Sequence, residues 1–160
     1  MNLKVPKSLF ILMVSPPFVS HGGFRYYGHF TDDFTCFSWF FLLKYKSDVF
    51  YAFKQFKTMA EPPLGMKIKR FQFDAGGEFV SLAPFFKEHG IISQFSYPYT
   101  PEQNRLVERK HRHIIEMGFT MLSCASLPLN LWDLSFSISI SLTNLLPTYC
   151  GHGFSLSENV

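Results

Sequence analysis

The first third of the chain carries hydrophobic patterns that are typical of strands. The apolar run from Leu9 to Val14 predicts a buried strand, which ends at the sequence SPP. Two aromatic-rich segments follow, from Phe24 to Thr31 and from Cys36 to Leu43, and the stretch DDFT between them suits a hairpin connection. We therefore expect three neighbouring strands at the start of the chain.

The hydrophobic spacing then changes to that of a helix. In the segment KSDVFYAFKQFKTMAE, Val49, Phe53 and Phe56 recur at helical intervals, and a Ser-Asp pair at its start supplies a cap and a first-turn acid. The sequence EPPLG is expected to break this helix. The next segment, MKIKRFQF, predicts a strand that stops at Asp74.

The second half alternates between helix and strand signals. The segment EFVSLAPFFKEHG predicts a helix that closes at Gly90, and IISQF predicts a short strand. After the loop SYPYTP, a long helix should run to about Ser123. Its inward residues are expected to be Val107, Ile114, Met117, Met121 and Leu122.

The end of the chain is less clearly patterned. The segment LSFSISISL alternates apolar residues with serine as a strand does, although its place after two helices favours a helix. The tail CGHGFSLSENV is expected to be irregular. Strands followed by alternating strands and helices indicate a mixed α/β domain with a central sheet.

Composition narrows the possible classes of protein. The 160 residues suffice for one domain, and 47% hydrophobic residues with 20 Phe exclude a disordered chain. The formal net charge of +3 is too small to indicate a nucleic-acid partner without local clustering. The three cysteines form no C-x-x-C pair and support neither a disulfide framework nor a zinc site. A bilayer span and a secretion signal are not expected.

Two acidic residues stand at predicted element ends, where sites are usually built. Asp74 follows a strand and precedes two glycines, and Glu108 lies early in the long helix, among Arg105, Arg109 and other basic residues. One helix and one short strand between them could bring both carboxylates to one edge of the sheet. Oxygen ligands of this kind suit Mg²⁺ or Mn²⁺. Arg112, one turn beyond Glu108, could hold a phosphate oxygen nearby. A solvated helix face of mixed charges is the alternative.

Three segments together resemble a known family. DDFTCFSWFFLLKYKSDVFYAFKQF, RFQFDAGGEF and PYTPEQNRLVERKHRH, in this order, are similar to the integrase catalytic core of copia-type retrotransposons, especially those of plants. The similarity covers roughly Pro16 to Pro147. It implies an RNase H-like fold, with a mixed central sheet of about five strands flanked by helices. Residues 1–15 would be a degenerate first-strand region, 16–147 the core-like domain and 148–160 a C-terminal tail.

The resemblance also implies chemistry. The family carries three acidic residues, D, D and E, that hold two divalent metals for phosphodiester hydrolysis and strand transfer. By motif, Asp74 matches the second acid and Glu108 the third, so both are expected catalytic residues and ligands of Mg²⁺ or Mn²⁺. DNA is the expected partner, with a homo-oligomer as a further possibility and neither a membrane nor a small-molecule substrate. The nucleic-acid contacts are expected at Gln103, Asn104, Arg109, Lys110 and Arg112. A nuclear or cytoplasmic location would follow.

The first acid of the family is missing. It belongs to the first strand, at about Phe10 to Pro17 here, where no acidic residue occurs. Asp32 and Asp33 stand in the motif of the next hairpin and are not expected to replace it, because a ligand misplaced by about 1 Å usually fails. The chain is therefore expected to be a truncated and degenerate copy that is catalytically silent.

Further departures agree with this expectation. Phe73 and Ala75 replace the polar residues that flank the second acid in the family, and Arg105 replaces a glycine. Three functions remain open on the sequence: an active polynucleotidyl transferase, a silent remnant that still binds nucleic acid, and a non-functional product that does not fold. An unrelated RNase H-like nuclease is a weaker alternative.

Overall fold

One mixed sheet forms the centre of the molecule. The computed structural model describes residues 8–32, 35–65, 67–73, 77–95, 101–146, 148–150 and 153–155. The strands of this sheet are β1 (Ser8–Val14), β2 (Tyr26–Asp32), β3 (Ser38–Leu43), β4 (Arg70–Phe73) and β5 (Ile92–Phe95). Their order is β3-β2-β1-β4-β5, with β1, β2 and β3 antiparallel and β1, β4 and β5 parallel. The first strand of the chain is thus the central strand.

Helices cover both faces of this sheet. The α-helices in the described part of the chain are α1 (Val49–Leu64), α2 (Ala83–Glu88), α3 (Pro101–Cys124) and α4 (Trp132–Leu145). Short 3-10 helices occupy Lys46–Asp48, Gly77–Leu82 and Leu129–Leu131. The predicted mixed α/β organisation is confirmed. No helix in the described ranges combines the length and the apolar character that crossing a bilayer requires.

The structure differs from the predicted element boundaries in several places. The predicted helix EFVSLAPFFKEHG begins as the 3-10 helix Gly77–Leu82, and only its second part is the α-helix α2. The prolines of EPPLG lie inside the last turn of α1 instead of breaking it. That turn is held by Glu61, whose carboxylate accepts hydrogen bonds from Lys57 Nζ at 2.8 Å and from the Ile68 amide at 3.0 Å. The tail is not wholly irregular, because β6 (Thr148–Cys150) and β7 (Gly153–Ser155) pair as a small hairpin.

The ambiguous segment LSFSISISL is helical and belongs to α4. Its serine hydroxyls donate to backbone carbonyls three or four residues earlier, as Ser135 does to Trp132 at 3.2 Å and Ser139 to Ser135 at 2.8 Å. A serine that bonds in this way brings no unpaired polar group into a helix interface. The period-two pattern therefore does not reflect strand structure.

The two faces of the sheet are packed differently. On one face, α1 and α2 cover a dense aromatic core. Its phenylalanine members are Phe30, Phe53, Phe56, Phe71, Phe73, Phe79 and Phe86. On the other face, α3 and α4 cover a smaller cluster built on Tyr27, Trp132 and Phe136. Of the predicted site residues, Glu108, Arg109, Lys110 and Arg112 belong to α3.

Candidate nucleic-acid interface and metal centre

The exposed face of α3 carries three of the predicted site residues. Glu108, Arg109 and Arg112 have solvent-exposed side chains on the N-terminal half of this helix. Gln103 and Asn104 belong to its first turn, but their side chains lie outside the described residues. At about 100° per residue, Arg109 and Arg112 are roughly 60° apart around the helix axis. The two guanidinium groups therefore share one outward face.

The predicted pairing of Asp74 with Glu108 cannot be placed directly, because Asp74 lies outside the described residues. Strand register nevertheless shows which residues lie beside the end of β4. Phe73 ends β4 and pairs in parallel with Ile11 of β1, and the next residue of β1, Leu12, pairs with His29 of β2. Position 12 is therefore the position of β1 that follows the last observed β1–β4 pair.

Asp32 is the last residue of β2, the strand that carries His29. It pairs with Leu9, three residues before position 12, which is roughly 10 Å along a strand. Its carboxylate Oδ2 accepts hydrogen bonds from the amide and the hydroxyl of Thr35 at 2.9 and 2.6 Å. These bonds give Asp32 a structural task in the turn after β2. That Asp32 does not replace the missing acid stays a prediction.

The donor set of the described residues does not fit a two-metal centre. Among these residues, no group of three or more His, Cys, Asp or Glu side chains is placed to hold a metal ion. Glu108 is exposed, and position 12 of the central strand is occupied by leucine. Two adjacent dications require several carboxylate oxygens, whereas this part of the chain offers one predicted ligand.

Lys110 differs from its basic neighbours because its side chain points inward. Only 7% of it is exposed, and the ammonium group donates to the carbonyl oxygen of Cys36 and, at 3.2 Å, to Ser38 Oγ. Burial lowers the pKa of Lys110 to about 8. Because the amine is directed into the protein, the expectation of a phosphate contact is carried forward for Arg109 and Arg112 rather than for Lys110.

His111 forms the second polar contact between α3 and the sheet. Its Nε2 atom lies 2.6 Å from the hydroxyl oxygen of Tyr27, and burial lowers the pKa of His111 to about 4. Burial also raises the pKa of Tyr27, so this phenol keeps its proton and can donate it to the neutral imidazole. His111 is thus a half-buried histidine at the boundary between α3 and the sheet.

His29 lies beneath His111 and is almost fully buried. Burial, with further contributions from the nearby His111 and Lys110, lowers the pKa of His29 to about 3. Its Nε2 atom is 3.1 Å from Thr31 Oγ1, whereas Nδ1 has no hydrogen-bond partner among the described residues. The rings of His29 and His111 are 6.0 Å apart and only 26° from parallel. Nearly parallel rings do not direct their lone pairs to one point, so this pair is not a metal site.

Several residues around this site were missed by sequence reasoning. Asn144 of α4 brackets one backbone unit of β3: its Oδ1 accepts from the Ser38 amide at 2.9 Å and its Nδ2 donates to the Ser38 carbonyl at 2.7 Å. No local pattern could reveal a contact between residues 106 positions apart. Cys36 is disulfide-bonded, contrary to the expectation from cysteine spacing, while Cys124 is a free, exposed thiol.

Comparison with known proteins identifies the lineage of the chain. Over 134 residues, 84% of the chain, it is 47% identical to the retrovirus-related Pol polyprotein from transposon RE1 and 46% identical to that from transposon RE2, both of Arabidopsis thaliana. It is 35% identical over 131 residues to the corresponding polyprotein from transposon TNT 1-94 of Nicotiana tabacum. The chain spans only 9 to 10% of the length of these relatives. No family model matches.

Solved structures identify the fold. The catalytic core domain of BIV integrase superimposes with a TM-score of 0.65 at 12% identity, covering 92% of this chain and 90% of that one. A chain of the simian T-cell lymphotropic virus intasome, solved with a PP2A regulatory subunit, gives a TM-score of 0.66 at 17% identity, covering 89% of this chain and 49% of that one. The fold is thus that of an integrase catalytic core.

Sequence identity adds the family to this fold. The chain belongs to the retrovirus-related Pol polyproteins of transposons, of which it corresponds to a short segment.

Proposed function

We propose that this chain is the integrase core of a copia-type retrotransposon polyprotein that binds DNA without cutting or joining it. The core-like unit, expected over residues 16–147, would also include β1 (Ser8–Val14), because that strand is the central one of the sheet. Binding would use the phosphate backbone, because the exposed charged groups suit phosphate and carry no information about base sequence.

One observation carries the binding proposal: Arg109 and Arg112 stand exposed on the same face of α3. Arginine presents a planar set of donors that matches phosphate oxygens and stays charged at any physiological pH. The two arginines are one turn of the helix apart, so they could follow adjacent phosphate groups. In the relatives that share this segment, the same helix belongs to a polyprotein of transposons, which supports a nucleic-acid partner.

The catalytic silence is argued from position 12. Strand register makes this position the neighbour of His29, on which the His111 ring of α3 stacks, and Glu108 lies one turn before His111. A carboxylate at position 12 could therefore approach both Glu108 and the end of β4. The chain has leucine there, and leucine offers no metal ligand. We infer that the Mg²⁺ or Mn²⁺ centre of the family is not completed in this protein.

The binding proposal is tested by measuring DNA affinity as a function of salt. Fluorescence anisotropy with a labelled 20-base-pair duplex should give a dissociation constant that weakens steeply between about 50 and 200 mM salt. Arg109→Gln and Arg112→Gln should each weaken binding and reduce the slope of log Kd against log salt by about 1. Lys87→Gln, which removes an exposed charge from α2, is the matched control and should leave the slope unchanged. Slopes that are the same in all three variants would contradict the proposed interface.

The proposed lack of catalytic activity is tested by incubating the same protein with Mg²⁺ or Mn²⁺ and labelled DNA. No nicking or strand transfer is expected above a blank without protein. Cleavage that disappears in Asp74→Asn would overturn this part of the proposal and establish an active polynucleotidyl transferase. Absence of DNA binding in the wild-type protein, with a cooperative thermal transition, would instead reject the nucleic-acid partner.

A further inference from the structure

The N-terminal half of α3 is connected to the sheet by polar side chains. Farther along the helix, α3 packs closely on α4, where a Cβ atom added at Gly118 would lie 2.4 Å from Phe136 Cδ1. Near Arg109 and Arg112 the contacts change in character. Lys110 and His111 reach across to β3 and β2, and both contacts are hydrogen bonds.

These hydrogen bonds connect α3 to two different strands. His111 Nε2 meets the hydroxyl of Tyr27 on β2 at 2.6 Å, while Lys110 Nζ bonds to the Cys36 carbonyl, before β3, and to Ser38 Oγ within it. Ser38 is itself fixed by Asn144 of α4 through both its backbone groups. The partners of α3 are therefore held in place by the sheet and by the neighbouring helix.

Burial of Lys110 costs stability, since its lowered pKa shows that the charged form is disfavoured where it lies. An apolar side chain of similar length would fill the same space without that cost. Buried polar groups can instead confer orientation, because a hydrogen bond weakens steeply as its angle departs from linear, whereas apolar contacts tolerate sliding and rotation.

The geometry of the helix links this orientation to the arginines. Lys110 and His111 are about 100° apart around the axis of α3, on either side of the buried line through Val107 and Ile114. Arg109 and Arg112 lie on the opposite side. A helix held at two points 100° apart cannot rotate about its axis without breaking one of the bonds.

We propose that Tyr27, Lys110 and His111 are positioning residues that fix the rotation of α3 and thereby present Arg109 and Arg112 to a DNA backbone. The presentation of the two arginines to DNA rests on the proposed function, whereas the anchoring of α3 to the sheet is a property of the free protein. None of the three side chains needs to contact DNA. Lys110, although it lies in a basic run, acts from inside the protein.

Two conservative variants test this proposal. Tyr27→Phe removes one hydroxyl group, and Lys110→Met keeps an unbranched apolar chain while removing the ammonium group. Amide hydrogen exchange in the first half of α3, over residues 105–112, should accelerate about tenfold in Tyr27→Phe, as expected for one lost hydrogen bond of about 1 kcal/mol or slightly more. It should accelerate at least as much in Lys110→Met, which loses two hydrogen bonds and leaves the Cys36 carbonyl and the Ser38 hydroxyl without this partner. Residues 118–124 should change much less. Phe136→Leu is the control, because a loss of general packing should accelerate exchange in both halves.

A spectroscopic signature separates anchoring from a general structural role. In Tyr27→Phe, the ¹⁵N NMR signal of His111 Nε2 should move, because the hydroxyl group that hydrogen-bonds to this nitrogen is gone, while burial still lowers the pKa of His111. Phe136→Leu leaves that hydroxyl in place and should not move the signal in this way. An unchanged Nε2 signal in Tyr27→Phe would overturn the role given to the Tyr27–His111 bond.

DNA binding supplies the final discrimination. In Tyr27→Phe and Lys110→Met, the affinity for DNA should fall about threefold if about a third of the molecules keep α3 correctly oriented. The slope of log Kd against log salt should stay that of the wild type. A slope reduced by about 1 in Lys110→Met would overturn the proposal, because the ammonium group would then be a phosphate contact. Exchange that accelerates equally in both halves of α3 would also overturn it. If the wild-type protein does not bind DNA, the proposed function is rejected, and with it the presentation of the arginines to DNA. Faster amide exchange confined to residues 105–112 in the two variants would still establish that the polar contacts anchor α3.

Discussion

The two faces of the sheet are held to their helices by different physical means. Toward α1 the contacts are aromatic rings, such as Phe30 stacked on Phe56 at 4.6 Å and Phe53 edge-on to Phe71 at 4.7 Å. Toward α3 the sheet presents Tyr27, which hydrogen-bonds to His111, and Ser38, whose hydroxyl accepts from Lys110, while the His29 ring stacks on that of His111. Aromatic burial is strong and has little directionality, whereas the polar contacts are directional and carry a desolvation cost.

This difference teaches where stability and orientation reside in the molecule. The α1 face can supply most of the free energy of folding, since fully buried phenylalanines contribute about 1.5–3 kcal/mol each. The α3 face gains less, because its buried lysine and histidines must give up solvation. Its hydrogen bonds instead fix the orientation of α3, the helix that carries Glu108, Arg109 and Arg112. The face with the candidate site is thus the less stable one.

The largest effect is expected from breaking the aromatic face. Phe53 is fully buried among four other phenylalanine rings of that core. Phe53→Ala should lower the free energy of unfolding by about 3–5 kcal/mol, because it removes transfer free energy and leaves a cavity. Urea denaturation measures this change. Tyr51→Ala, at a position of α1 that is 68% exposed, is the matched control and should change stability by less than about 0.5 kcal/mol. Comparable losses in both variants would show that this face is not the main source of stability.

A smaller effect is expected from acidifying the polar face. The pKa values of His29 and His111 are lowered to about 3 and about 4, so the unfolded chain binds protons that the folded protein excludes once the pH falls below about 6.5. The free energy of unfolding should therefore be highest above that pH and should decline below it. His29 alone accounts for about 2 kcal/mol between pH 6.5 and 4.5.

Thermal unfolding at a series of pH values measures this decline. His29→Phe should flatten the acid side of the profile, since phenylalanine takes up no proton in either state. His113→Gln changes an exposed histidine of the same helix and should leave the parental slope. If His29→Phe keeps that slope as well, the acid sensitivity arises elsewhere and the polar face is less costly than its burial indicates.

The same contrast explains which features the sequence could reveal. Apolar spacing predicted the strands β1 to β3 and the helix α1, because such spacing follows the burial of apolar side chains, as it does for Val49, Phe53 and Phe56 of α1. The polar face was not predictable: Lys110 lies in a run of charges that is typical of a solvated surface, and its partner Cys36 is 74 residues away. LSFSISISL was ambiguous because serine can satisfy its hydroxyl within a helix. Local patterns record burial of apolar groups, while buried polar pairs depend on tertiary contacts.

The smallest effect tests the contact of α3 with α4, next to the polar anchor. A Cβ atom at Gly118 would lie 2.4 Å from Phe136 Cδ1 and 3.3 Å from Ser135 Oγ, so Gly118→Ala must push the helices apart. Overpacking costs about 1–3 kcal/mol, and the better helix propensity of alanine returns up to about 1 kcal/mol, which leaves a net loss of roughly 1 kcal/mol. Thr120→Ala, at an exposed position of the same helix, has no such clash and should not destabilise.

A double-mutant cycle decides whether that loss comes from the clash. In a Phe136→Leu background the smaller side chain leaves room for the added methyl group, so Gly118→Ala should cost less there than in the wild type. Additive losses would mean that the helices separate for another reason. If the cycle shows coupling and the exchange of residues 105–112 stays slow in Gly118→Ala, then the polar contacts at Lys110 and His111 hold the first half of α3 independently of its packing on α4.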